Sequence, residues 1–227
     1  MKRFITKSIA IVALAGAVTL FTTTQAQAAF LAYICNDVAC TGGGDVVVTD
    51  GGAGDLGLSN GIAGRINMEA AVGGLTVITS IAQSKPALGS AASPMMDITF
   101  SATGIGTAYI WAVDTNFTGL TSLHGSLDGN FSGQGCVNAA IGTRTQNDGA
   151  LTFDVTGGPD VCTTPFSIQM VHAAPGSSPY SMSIVVALSR ATAGTTTGDF
   201  LVVPEPASMA LLGLGLAGLA ARRRRKA

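Results

Sequence analysis

Asp97-Ile98-Thr99-Phe100-Ser101 decides the fold class. In an extended chain Ile98 and Phe100 fall on one face, and Asp97, Thr99 and Ser101 on the other. That period of two marks a strand with one buried side. Thr152-Phe153-Asp154-Val155-Thr156 has the same alternation. Outward from these, short β-prone runs recur at Phe30–Cys35, Val46–Thr49, Leu75–Gln83, Asp97–Ala102, Thr107–Asp114, Ala150–Thr156, Phe166–His172 and Ser181–Arg190. Leu120–Leu127 and Cys136–Ile141 carry a fainter version. Gly, Asn, Asp and Pro separate the runs, and these are the residues that turns require. Many short strands with turns between them predict an all-β, antiparallel β-sandwich or jelly-roll-like fold. Ile66–Val72 is the one modest helix candidate, and the Gly/Thr-rich stretch 192–203 reads as a linker.

The two ends are built differently. Lys2, Arg3 and Lys7 precede an apolar run from Ser8 to Phe21, fourteen residues long and short for a membrane span. A polar stretch follows and closes on Ala26-Gln27-Ala28. A basic start, a short apolar centre and an A-x-A site make a cleavable export signal, so signal peptidase should cut after Ala28. At the other end Pro204-Glu205-Pro206 precedes an apolar run from Ala207 to Ala221 and the cluster Arg222-Arg223-Arg224-Arg225-Lys226. Fifteen residues of helix span about 22 Å against a hydrocarbon core of about 30 Å, and arginines that snorkel make up part of the difference. The basic cluster stays on the cytoplasmic side, which places the preceding domain across the inner membrane. The export signal imposes the same topology. Pro204 and Pro206 lack backbone donors and favour an extended strip beside the membrane.

Pro-Glu-Pro, a Leu211-Leu212-Gly213-Leu214-Gly215-Leu216 helix and a terminal arginine cluster resemble the PEP-CTERM sorting domain. The resemblance implies processing by exosortase, a membrane-embedded cysteine transpeptidase-like enzyme of Gram-negative bacteria that make exopolysaccharide and biofilm. It marks Pro204, Glu205, Pro206, Arg222, Arg223, Arg224 and Arg225 as the sorting signal. The expected organisation is then a signal peptide (1–28), a β-sandwich (29–191), a linker (192–203) and a sorting tail with a short transmembrane helix (204–227).

Charge narrows the partners. Between Ala29 and Val203 only Arg65, Lys85, Arg144 and Arg190 face twelve acidic residues, leaving a net charge of −8. Such a surface repels nucleic acid and anionic lipid. The four cysteines, Cys35, Cys40, Cys136 and Cys162, all lie in the exported part, where an even number reads as two disulfides. Three pairings exist, and the most local, Cys35–Cys40 with Cys136–Cys162, is the expected one. A zinc site is disfavoured because no C-x-x-C pair is present.

No catalytic constellation emerges, and the chain is expected not to be an enzyme. Gly57-Leu58-Ser59-Asn60-Gly61 has the G-x-S-x-G spacing of a serine nucleophile but lacks the strand and helix that motif needs. His124 and His172 have no placed nucleophile beside them. Asp45, Asp50 and Asp55, and Asp148, Asp154 and Asp160, are the carboxylates that could hold Ca²⁺, with solvated turn aspartates as the plainer reading. Asp114-Thr115-Asn116-Phe117-Thr118-Gly119 echoes in Asp128-Gly129-Asn130-Phe131-Ser132-Gly133 and reads as two similar strand-to-turn corners. The leading expectation is a non-enzymatic surface or matrix protein associated with exopolysaccharide. The alternative is a carbohydrate-binding module stacking sugars on Tyr33, Tyr109, Trp111 and Tyr180. A secreted hydrolase is disfavoured by the missing constellation.

Overall fold

The computed structural model describes residues 30–57, 60–151 and 155–205. The export signal with Ala26 and Ala28, the tail with Pro206 and Arg222–Arg225, and Leu58, Ser59 and residues 152–154 lie outside them.

Among the described residues the chain forms twelve strands and no helix. They are β1 (Leu31–Cys35), β2 (Val46–Thr49), β3 (Arg65–Val72), β4 (Leu75–Gln83), β5 (Met96–Gly104) and β6 (Gly106–Phe117). The rest are β7 (Leu123–Phe131), β8 (Gly135–Arg144), β9 (Val155–Gly157), β10 (Phe166–His172), β11 (Tyr180–Arg190) and β12 (Thr195–Pro204). They pair antiparallel into two six-stranded sheets, β2-β1-β6-β11-β8-β9 and β10-β7-β12-β5-β4-β3. The inner faces of both sheets share one apolar core, which makes the arrangement sandwich-like. Ile34, Ile110, Ile184 and Val186 enter it from the first sheet, and Ile98, Phe100, Phe166 and Phe200 from the second.

Two expectations are corrected. Ile66–Val72 is strand, not helix. Ile66, Met68, Ala70 and Val72 are buried while Glu69 and Ala71 are exposed, a period of two. Gly73 and Gly74 then turn the chain back into β4 with φ of 57° and 86°, values that suit glycine in a two-residue hairpin turn. A Cβ on Gly73 would also stand 2.1 Å from the Thr107 carbonyl oxygen.

The second correction concerns 192–203, which is no linker. Residues from Thr195 onward form β12, a central strand hydrogen-bonded to β5 on one side and β7 on the other. Its β-branched threonines suit a pleated surface, and Thr196, Phe200 and Val202 are buried. Arg190 pins the approach to it. This arginine is 3% exposed and donates to the carbonyls of Gly104, Ser132 and Thr192 and to Thr196 Oγ1, tying three turns together.

Candidate functional site

The C-terminal junction is the first site. β12 carries Val202 opposite Met96 and Gly125, Val203 opposite His124, and Pro204 opposite Leu123. The Glu205 N–H then donates to the Ser122 carbonyl at 2.8 Å. The Glu205 carboxylate lies 3.9 Å from His124 Nε2, an ion-pair distance when the imidazole is protonated and too long for a hydrogen bond. Pro204 is extended because the sheet holds it so, and its missing N–H falls at the end of a strand, where proline is tolerated. The first half of Pro-Glu-Pro is thus part of the folded sheet.

The outer face of the second sheet is the second site. Ser167, Asp128, Asp199 and Thr99 lie side by side across β10, β7, β12 and β5. Asp128, Asp199 and Thr99 border an open groove of 360 Å³ that Ser101, Thr197, Gly129 and Gly198 also line. The two glycines leave room on the core side for the rings of Phe166 and Phe100, which a Cβ would meet at 2.5 and 2.7 Å. Thr99 Oγ1 donates to Asp199 at 2.8 Å, Ser126 Oγ to Asp128 at 2.5 Å, and Gln169 Nε2 to Ser126 Oγ at 2.7 Å. Hydrogen bonds from Ser126 and then Ser167 hold the Asp128 carboxyl below its usual range. Asp97 beside the groove is pushed up to about 7, first by burial, then by the charge of Asp199 and a hydrogen bond with it. Neither Asp97 nor Asp199 was singled out from sequence. The available signal was the run of Asp97, Thr99, Ser101 and Thr103 at alternate positions of β5, with Ser126 and Asp128 in β7 and Thr195, Thr197 and Asp199 in β12 in the same phase.

The aromatic platform expected for sugar stacking is not assembled. Tyr180 is fully buried in the core, with its ring 5.8 Å from that of Phe117 and its hydroxyl donating to the Gly119 carbonyl at 2.9 Å. Burial pushes its phenol up to about 12. Trp111 is 1% exposed on the outer face of the first sheet, packed with Val185 and Ala140 beneath Tyr33, Tyr109, Cys40 and Leu151. Its sheet position opposite Tyr33 and Val185 puts it away from the core, yet those neighbours cover it.

The remaining sequence candidates have structural work. Cys35 bonds Cys40 and Cys136 bonds Cys162, the local pairing. Asp45 accepts from the Asn36 N–H, Asp50 from Gly64, and Asp55 from Gly51 and Asn67. Burial pushes the Asp50 carboxyl up. Asp148 pairs with Arg144 at 3.0 Å, and Asp160 accepts from Asn138 Nδ2 at 2.7 Å. Asp154 lies outside the described residues. Among those residues no group of three His, Cys, Asp or Glu is arranged to hold a metal ion. His172 Nε2 lies 2.9 Å from Thr143 Oγ1. The two echoed corners are the ends of β6 and β7, each placing a phenylalanine, Phe117 and Phe131, in the core.

Among the described residues the fold is all-β, and its strand β12 runs directly into the C-terminal segment. Residues 202–225 match the family model of the PEP-CTERM protein-sorting motif, and the chain is a PEP-CTERM sorting domain-containing protein. That motif implies export and exosortase processing. A comparison with curated proteins finds no match. Among solved structures, the enzymatically active domain of bacteriophage CBA120 tailspike protein 4 is 14% identical, with a TM-score of 0.31 over 50% of this chain and 18% of that one. TmCBM61 in complex with β-1,4-galactotriose is 9% identical, with a TM-score of 0.33 over 58% of this chain and 88% of that one. The CBM22-1–GH10 modules of Clostridium thermocellum xylanase 10B with xylohexaose are 12% identical, with a TM-score of 0.31 over 48% and 22%. The chain spans less than a quarter of the tailspike and xylanase structures. Likenesses at these scores carry no argument about what this chain binds.

Proposed function

We propose that this is a non-catalytic surface or extracellular-matrix protein, exported through the Sec pathway and held briefly at the inner membrane. Exosortase then removes the tail and releases the protein into an exopolysaccharide-rich matrix. The observation that carries the reading is the sorting motif at residues 202–225, continuous with the folded domain through β12. In this reading residues 1–28 are removed after Ala28, 207–221 form the short membrane helix, and Arg222–Arg225 keep the end cytoplasmic. The two sheets form a jelly-roll-like sandwich that needs no cofactor.

A second reading, carbohydrate binding, is favoured by the open groove on the second sheet. Its hydroxyls and carboxylates can exchange hydrogen bonds with a polyol. The net charge of −8 over 29–203 favours a neutral glycan over an acidic one.

The test is fractionation of wild type and an Arg222–Arg225→Ser variant in hosts with and without exosortase. Wild type should be shortened and released only with exosortase, and the variant should be soluble in the periplasm, since an arginine at the bilayer centre costs about 2.5–3.5 kcal/mol on insertion scales and serine far less. Identical size and location of wild type in both hosts would leave a plain anchor. Pull-down of the released domain on neutral glycan resins tests the second reading.

A further inference from the structure

A tethered domain turns freely only if its linker has slack, and here the sheet takes up the slack. β12 is paired to β7 through Pro204, and the Glu205 N–H is bonded to the Ser122 carbonyl at 2.8 Å. The apolar run begins at Ala207, two residues on. Two residues reach at most about 7 Å, and the headgroup layer on one side of a bilayer is itself about 5–8 Å thick. With 207–221 as the membrane helix, Glu205 lies within or just above that layer. A helix of about 22 Å in a core of about 30 Å draws it closer still.

The end of the sandwich beside Glu205 suits that position. Ser122 closes the β6–β7 loop, 118–122, whose Leu120 is 51% exposed. The Thr118 and Gly119 N–H groups donate to the Ala91 carbonyl, and the Tyr180 hydroxyl donates to the Gly119 carbonyl, so loops 84–95 and 118–122 form one braced surface. A Cβ on Gly119 would stand 2.3 Å from the Ala92 carbonyl oxygen, so glycine is what lets them lie this close. Together with the β10–β11 loop, 173–179, these loops hold a single charged residue, Lys85, which is paired with Asp114 at 2.7 Å. At the same end Asp148 is paired with Arg144, and Asp50 and Asp55 turn onto the N–H groups of Gly64, Gly51 and Asn67. At the opposite end, loops 36–45 and 158–165 carry Asp37, Asp45 and Asp160 and no base. Unbalanced acids repel lipid phosphates, and the loops nearest the tail are free of them.

Resting on the membrane-anchor reading, we infer that the domain seats by this end in the headgroup layer while the tail is attached, with Leu120 and the exposed Ala92 against lipid and both sheets standing up from the surface. The partner is a lipid surface, and the contact fixes which way the domain faces. Asp199 stands six residues of strand back from Glu205, about 20 Å, so the groove on the second sheet is held clear of the bilayer before release.

The experiment uses the chain purified with its tail from an exosortase-deficient host and reconstituted in phosphatidylcholine vesicles that carry a headgroup spin label, a contact quencher of tryptophan. Wild type supplies the baseline, since its single tryptophan, Trp111, is buried. Leu120→Trp and Ala87→Trp each place a second indole at the tail end, both at exposed positions. Ile105→Trp places one at the far end, on a side chain 53% exposed. The expected result is loss of the added emission in Leu120→Trp and Ala87→Trp and its retention in Ile105→Trp. Vesicle-bound protein quenched at neither end, or equally at both, overturns the inference and leaves the anchor reading intact. A chain that does not float with the vesicles overturns both.

Discussion

Replacing Lys85 with methionine should destabilise the domain by about 3–5 kcal/mol, the usual cost of leaving one member of a buried ion pair uncompensated. Lys85 Nζ lies 2.7 Å from Asp114 Oδ2, with the two side chains 14% and 0% exposed. The same ammonium donates to the Thr115 carbonyl and sits 4.2 Å from the centre of the Phe117 ring. Methionine keeps the stem and removes all three interactions. Asp114 retains the Ser84 hydroxyl at 2.6 Å and the Thr115 N–H at 2.7 Å, which do not neutralise it. For a domain of this size that loss lowers Tm by roughly 6–20 °C. Urea denaturation followed by the fluorescence of Trp111, the single tryptophan and a buried one, reads it directly. Asp114→Asn in the same background should restore about 1–3 kcal/mol, because the stranded charge is then gone. A Lys85→Met domain within 1 kcal/mol of wild type, or strict additivity with Asp114→Asn, would refute the view that a buried charge pair ties the β4–β5 connection to β6.

The disulfides should contribute unequally. Cys136–Cys162 closes a separation of 26 residues and Cys35–Cys40 one of 5, worth about 3.5 and about 2 kcal/mol on the chain-entropy model. Paired Cys→Ser variants unfolded in urea should keep that order, and a reversed order would contradict it. Stability should also fall as pH rises from about 4 to about 7. An unfolded aspartate ionises near ~3.9, whereas Asp97 in the fold is pushed up to about 7. The unfolded chain gives up its proton first across that window, so the contribution is fully present below it and lost above it, by up to roughly 4 kcal/mol. Asp97→Asn should flatten the slope and gain on wild type at pH 8. A wild type equally stable at pH 4.5 and pH 8, with Asp97→Asn tracking it, would refute the shared-proton arrangement with Asp199.

The sequence by itself determined the all-β class and the C-terminal sorting motif, because each of these is written in local pattern. A Pro-Glu-Pro followed by apolar and arginine segments, and an Ile-x-Phe alternation, need no tertiary contact to be read. The cysteine pairing was legible for the same reason, since both bonds are local and each joins residues near a strand end. Where composition was ambiguous, only the tertiary structure decided. Thr195-Thr196-Thr197-Gly198 reads equally as a linker and as a strand. It became the centre of a sheet because β5 and β7 both had an edge to fill and Arg190 had Thr196 to bond. Trp111 sits in an apolar run that reads as packed, and it is covered, though on the outer face of the first sheet, by Cys40 and Leu151. Asp97 and Asp199 share a face with Thr99, which bonds Asp199 from a hundred residues away. No periodicity within a strand reports such a meeting, because strand order follows from how the two sheets divide the chain.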